Sequence, residues 1–108
     1  MTQEEAEKSQ ETLIGKFPFA GAGRAQSILE EEGIVKVIVD KKYGEILGVH
    51  ILGPQATELI SLASFAMKSE LTVDMLGSII LPHPSLSEAV EEAIWDLKNE
   101  AIHSLKNW

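Results

Sequence analysis

The chain contains no cysteine. Internal disulfides, thiolate metal sites and thiol nucleophiles are thereby excluded, and the absence fits a cytoplasmic protein. Basic residues are scarce as well. Nine Lys and Arg stand against 17 Asp and Glu, for a formal charge of −8. Binding to nucleic acid or to an anionic membrane depends on neutralising phosphates, so neither partner is expected. No apolar run approaches the roughly 20 residues that span a bilayer. The start, Met1-Thr2-Gln3-Glu4-Glu5, is acidic rather than signal-like. What is present is ordinary: 44 % hydrophobic and 24 % charged residues in a chain of 108, enough for one domain with a modest core.

Thr2 with Glu5 three residues on has the form of a capping box for a short polar helix. Residues 1–15 read as that helix or as a linker remnant, ahead of a single domain over 16–108. Lys16-Phe17-Pro18-Phe19 predicts an extended segment, because a residue before proline is pushed out of the helical region. Gly21-Ala22-Gly23 predicts a turn. It is not a dinucleotide fingerprint: Gln26 stands where the third glycine belongs, and no strand-to-helix crossover follows.

The run from Gly33 to Asp40 is dominated by β-branched residues and predicts a largely buried strand. Asp40-Lys41-Lys42-Tyr43-Gly44 supplies turn chemistry, and Glu45 to Leu52 predicts a second, antiparallel strand ended by Gly53-Pro54. Both strands are apolar on both faces. Helices are therefore expected over one face, and further sheet or a partner chain over the other. Ala56, Leu59, Ile60, Ala63, Ala66 and Met67 recur at helical spacing. Thr72 is placed to cap a short helix through Val73, Met75 and Leu76. Leu86, Ala89, Val90, Ala93, Ile94, Leu97 and Ala101 define a final helix. The order of elements implies an α+β fold, a small antiparallel sheet with helices packed on one face.

Three histidines are candidates for chemistry: His50, His83 and His103. No pair has metal-ligand spacing. His50 alternates with Val49 and Ile51 and reads as a packed or edge histidine. His103 falls in the last turns of the final helix, where a cation suits the helix dipole. His83 lies between Pro82 and Pro84, which remove backbone donors and fix φ, so its imidazole rides on a stiff loop. Glu88 falls on the first turn of the following helix, within reach of a ring nitrogen. A carboxylate there fixes the tautomer and readies the ring for general acid–base work. A second reading competes for it: Ser85-Leu86-Ser87-Glu88 is also a capping box, with Ser85 as N-cap and Glu88 returning to its amide.

His83-Pro84-Ser85-Leu86-Ser87-Glu88 resembles the His-Pro-Thr/Ser-x-Ser-Glu signature of the pyridine nucleotide–disulfide oxidoreductases. Phe17-Pro18-Phe19 followed by Gly23-Arg24-Ala25 is similar to the start of that family's C-terminal domain. The segments Gly33 to Lys36, Ile46 to Pro54 and Ala56 to Ile60 are similar to its hairpin and first helix. The resemblance runs from Lys16 through Ala101, and Leu86 inclines it towards the dihydrolipoamide dehydrogenase branch. Two positions depart from the pattern: Leu81-Pro82 replaces the usual His-Ala, and Ser85 replaces Thr.

The resemblance implies a dimerisation, or interface, domain whose His83 acts as acid–base and whose Glu88 orients it, both within the partner subunit's active site. It further implies FAD, NAD and a redox-active cysteine pair in segments this chain does not contain, so the chain alone is expected to be inactive. No cofactor-binding or metal-binding residue is expected within it. The alternative is a stand-alone homodimeric interaction module that kept the fold without redox chemistry. A self-contained hydrolase built on His83 and Glu88 lacks a placed nucleophile.

Overall fold

The computed structural model describes residues 1–19 and 32–97. The expected turn at Gly21-Ala22-Gly23, the Gly23-Arg24-Ala25 match, the end of the final helix and His103 lie outside these residues. Seven elements follow in order: α1 (Gln3–Glu7), β1 (Thr12–Pro18), β2 (Ile34–Asp40), β3 (Ile46–Leu52), α2 (Ala56–Lys68), α3 (Val73–Gly77) and α4 (Glu88–Asp96). The strands form one antiparallel sheet in the order β1-β2-β3. The fold is the expected α+β arrangement, with α2, α3 and α4 on one side of the sheet; α1 departs from the expectation of helices on one face only and lies against the other.

Local chemistry accounts for most boundaries. Thr2 accepts from the Glu5 amide while the Glu5 carboxylate accepts from the Thr2 amide, so the capping box at α1 is complete. The hairpin turn is organised by Asp40, whose Oδ2 accepts from the Tyr43 amide at 2.6 Å and whose carbonyl accepts from the Gly44 amide. Gly44 takes a φ of 72°, a left-handed value glycine adopts without steric cost. Leu47 is the extra residue of a bulge between Ile38 and Val39, which keeps Ile46 on the same face as Val39 and Val49. Thr72 accepts from the Met75 amide and starts α3.

The extended segment begins earlier than Lys16-Phe17-Pro18-Phe19 suggests. β1 starts at Thr12 and pairs along its whole length with β2. Thr12 to Gly15 lack the apolar density of the other strands, so their strand character comes from pairing and not from composition.

Register divides the sheet into two faces. On one, Phe17, Val35, Val37, Val39, Ile46, Val49 and Ile51 meet the helices. Leu59, Ala63 and Ala66 of α2 are buried on this side, as are Ala89, Val90, Ala93 and Ile94 of α4. The small residues matter: any Cβ on Gly15 would run into the Ala93 carbonyl and the Leu97 side chain, so α4 lies directly on β1. Asp96 at the end of α4 also accepts a hydrogen bond from the Lys16 amide at 3.0 Å, occupying part of the open edge of β1.

The opposite face carries Ile38, Gly48, Lys16, Lys36 and His50. No second sheet among the described residues lies over it. The N-terminal segment covers the Ile38–Gly48 end, with the Met1 carbonyl pressed onto Gly48 and both Ala6 and Ile38 fully buried. No helix among the described residues is long and apolar enough to cross a membrane.

Candidate active-site loop

Residues 78–87 connect α3 to α4 and carry His83. The segment is mostly exposed, but it is tied at both ends. At its start, the Trp95 indole N–H donates to the Gly77 carbonyl at 3.2 Å, with the ring so close that a Cβ on Gly77 would crowd it. At its end, Leu86 is buried in the core, and the Ser85 amide donates to Glu88 Oε1 at 2.8 Å. Trp95 stands seven residues after Glu88, on the same face of α4. One helix thus holds both ends of the loop.

Between these anchors, His83 Nδ1 lies 3.0 Å from Glu88 Oε2 and 3.1 Å from Oε1. A carboxylate only accepts, so the proton sits on Nδ1 and the tautomer is fixed. The His83-Pro84 peptide is cis. The histidine side chain is 67 % exposed whereas that of Glu88 is 19 % exposed, so the acceptor is fixed by packing and the imidazole faces outward. This presents Nε2 to whatever docks against the loop.

The two roles expected to compete for Glu88 are both filled. Its carboxylate reaches back to the Ser85 amide, as in a capping box, while also holding the imidazole. The other half of that box does not form. The Ser85 hydroxyl oxygen is buried without a hydrogen-bond partner among the described residues. The helix begins instead after Leu86 and Ser87, whose carbonyls accept from Ala89 and Val90. Burial of Leu86 directs this turn, and the serine hydroxyl is carried inward with it.

A second carboxylate lies nearby. Glu91 borders a small apolar cavity of about 20 Å³ between sheet and helices, beside Leu76, Leu81 and Val90, and its Oε2 is buried without a partner. Desolvation, followed by the charges of Glu88 and Glu92, raises its pKa. The cavity has room for about one water and none for a flavin or nicotinamide ring. Of the other histidines, exposed His50 sits on edge strand β3, donating from Nε2 to the Met1 carbonyl at 3.1 Å. It agrees with the edge-histidine expectation and lies on the face away from His83. No three His, Asp or Glu side chains gather in metal-binding geometry among the described residues. Sequence reasoning missed Trp95 and Glu91. Their only signal was helical spacing from Glu88, at three and seven residues.

A three-stranded sheet with a histidine–glutamate loop at the head of its last helix defines a class. A profile of the pyridine nucleotide-disulphide oxidoreductase dimerisation domain matches residues 1–94, and the chain belongs to that family. Within it, the chain is of dihydrolipoamide dehydrogenase type. It is 45 % identical over 106 residues to dihydrolipoyl dehydrogenase of Thermus scotoductus and 41 % identical over 104 residues to that of Bacillus subtilis. These matches cover 97 % and 95 % of this chain but only 23 % and 22 % of those proteins. In structure it is similar to the HOCl-induced flavoprotein disulfide reductase RclA from Escherichia coli, with a TM-score of 0.80 at 28 % identity. That superposition covers 92 % of this chain and 22 % of the other. The chain therefore spans less than a quarter of the length of these relatives.

Proposed function

We propose that this chain is the dimerisation domain through which a dihydrolipoamide dehydrogenase-like flavoenzyme forms a homodimer, and that it contributes His83 and Glu88 to the partner subunit's active site. The interface domain proper runs over 16–108, with residues 1–15 leading into it. The observation that carries the reading is the contact between Glu88 and Nδ1 of a largely exposed imidazole. An orienting carboxylate beneath an outward-facing ring suits proton exchange with a group supplied from outside the chain. The chain supplies no thiol, and the hydroxyl of Ser85, two residues on from His83, is buried. Apolar side chains at the start of the loop, Ile79 at 42 % and Ile80 at 96 % exposure, support subunit contact on this side.

In this role His83 takes the proton of a substrate thiol at Nε2 and returns it when the exchange reverses, while Glu88 holds Nδ1–H and stabilises the imidazolium. FAD and NAD, expected in segments outside this chain, would supply the electron transfer. In this reading the chain alone is inactive, because the flavin and the redox-active cysteine pair belong to other segments. A cytoplasmic location belongs to the same reading.

The test is His83→Gln in the full-length enzyme that carries this domain. Thiol–disulfide exchange should slow by about 10²–10⁴-fold, the range general acid–base catalysis supplies, with flavin absorbance unchanged. Unchanged turnover would instead favour a homodimeric module without redox chemistry, in which Glu88 only starts the helix. The purified chain should be colourless and without diaphorase activity, and bound flavin would overturn the assignment.

A further inference from the structure

The end of the second sheet face that no other described element covers carries an arrangement that the active-site loop does not use. Lys16, Lys36 and His50 lie directly opposite one another across β1, β2 and β3. They form a row of two lysines and a histidine, the histidine already bonded to the Met1 carbonyl, spaced by the roughly 4.8 Å between strands. Like charges placed opposite one another destabilise a sheet. Three of the other lysines have partners, Lys8 with Glu4, Lys41 with Glu11, and Lys42 over the Tyr43 ring, while Lys68 at the end of α2 makes no ion pair among the described residues. Lys16 and Lys36 make no ion pair among the described residues. Asp96 stands near, but its carboxylate engages the Lys16 backbone amide. The row is flanked by Ile34 and by Leu52, which is 72 % exposed, and together these five residues line one open depression.

The adjoining end of the same face shows what covers it. There a short helix with Glu4, Glu5 and Glu7 lies against the sheet through buried Ala6. We propose that the Lys16–Lys36–His50 row, with Ile34 and Leu52, is a docking surface for an acidic amphipathic helix from a partner polypeptide segment. Side chains three and four residues apart on a helix are about 5–6 Å apart, close to the spacing of the row. Glutamates on one stripe would meet Lys16 and Lys36 beside His50, and an apolar residue on the adjoining stripe would cover Ile34 and Leu52. The surface lies on the face of the sheet away from His83, so it adds to the proposed homodimer contact and does not depend on it.

The experiment is an NMR titration of the full chain with a synthetic 15-residue helical peptide bearing glutamates four apart and leucines on the neighbouring stripe. Amide shifts should concentrate at Lys16, Ile34, Lys36, His50 and Leu52. Apparent affinity should fall at least tenfold in Lys16→Glu/Lys36→Glu, and also when glutamine replaces glutamate in the peptide. Lys36→Met, which removes one charge and keeps the stem, should give an intermediate loss and guards against misfolding of the double variant. Equal binding by the double variant, or shifts of the same size at Lys41 and Lys42, would overturn the proposal. So would inorganic pyrophosphate producing the same shifts at the same concentration, which would make the row a small-anion site. Self-association of the unliganded chain that the double variant abolishes would replace the partner helix with a second copy.

Discussion

The two faces of the sheet come from the same three strands but are closed in different ways. On one, α2, α3 and α4 cover every strand, and close approach is possible because Gly15, Ala89 and Ala93 present almost no side chain at the contact. On the other, the N-terminal segment is the only described element laid down, and Lys16 and Lys36 lie beyond it, next to His50 at its edge. The difference teaches where precision is needed. Backbone and small side chains in direct contact fix the position of α4, and through it Glu88 and the His83 loop. The open face keeps long, charged side chains whose positions can adapt.

This contrast can be broken by substitution, beginning with the largest expected effect. Gly15→Ala puts a methyl into the Ala93 carbonyl, which no rotamer change can relieve. It should cost about 3 kcal/mol or more in urea denaturation, at the upper end for overpacking. A loss below 1 kcal/mol would mean that α4 is free to lift. Glu88→Ala leaves the Ser85 amide and His83 Nδ1–H without their acceptor and should cost about 1–2 kcal/mol. Glu88→Gln keeps an amide oxygen and should cost less than half as much. Equal losses for the two variants would show that the carboxylate's packing, not its acceptor role, holds the loop.

Glu91 sharpens the comparison within the covered face. Its raised pKa means that the folded state holds this proton more tightly than the unfolded chain does. The resulting stability is fully present below the ordinary carboxylate pKa and is lost as pH rises through the raised value. Glu91→Gln should therefore raise Tm by a few degrees at pH 7 and by less at pH 4, checked by thermal melts at both. A larger gain at pH 4 would reverse the sign and the explanation. On the open face, His50→Gln should change stability by no more than about 0.5 kcal/mol and leave turnover of the full-length enzyme unchanged. An effect as large as that of His83→Gln would end the distinction between the two histidines.

Much of this architecture was legible in order along the chain. The capping box of Thr2 and Glu5, the Asp40–Gly44 turn, the Thr72 cap and the stripe of α2 depend on residues within a few positions of one another, so local pattern suffices. The pairing of His83 with Glu88 was legible for the same reason: five residues and one turn separate them. What escaped was long-range. The start of β1 at Thr12 depends on pairing with β2. The bond from Asp96 to the Lys16 amide crosses 80 residues, and that from Trp95 to Gly77 crosses 18. Ser85 misled because a capping box was read from spacing alone, whereas burial of Leu86 sets the turn.

The sequence by itself determined the chemistry available to this chain: no thiol, an excess of acidic residues, two strands apolar on both faces, and one histidine fixed between prolines beside a carboxylate. Only the tertiary structure decided how these are used. It seated α4 on Gly15, so that one helix holds Glu88 beneath His83 and Trp95 against Gly77. It also brought Lys16, Lys36 and His50 into one row. Spacing along the chain constrains only what lies within a turn or two. The order of strands in a sheet and the closeness of a helix to it arise from packing between distant segments.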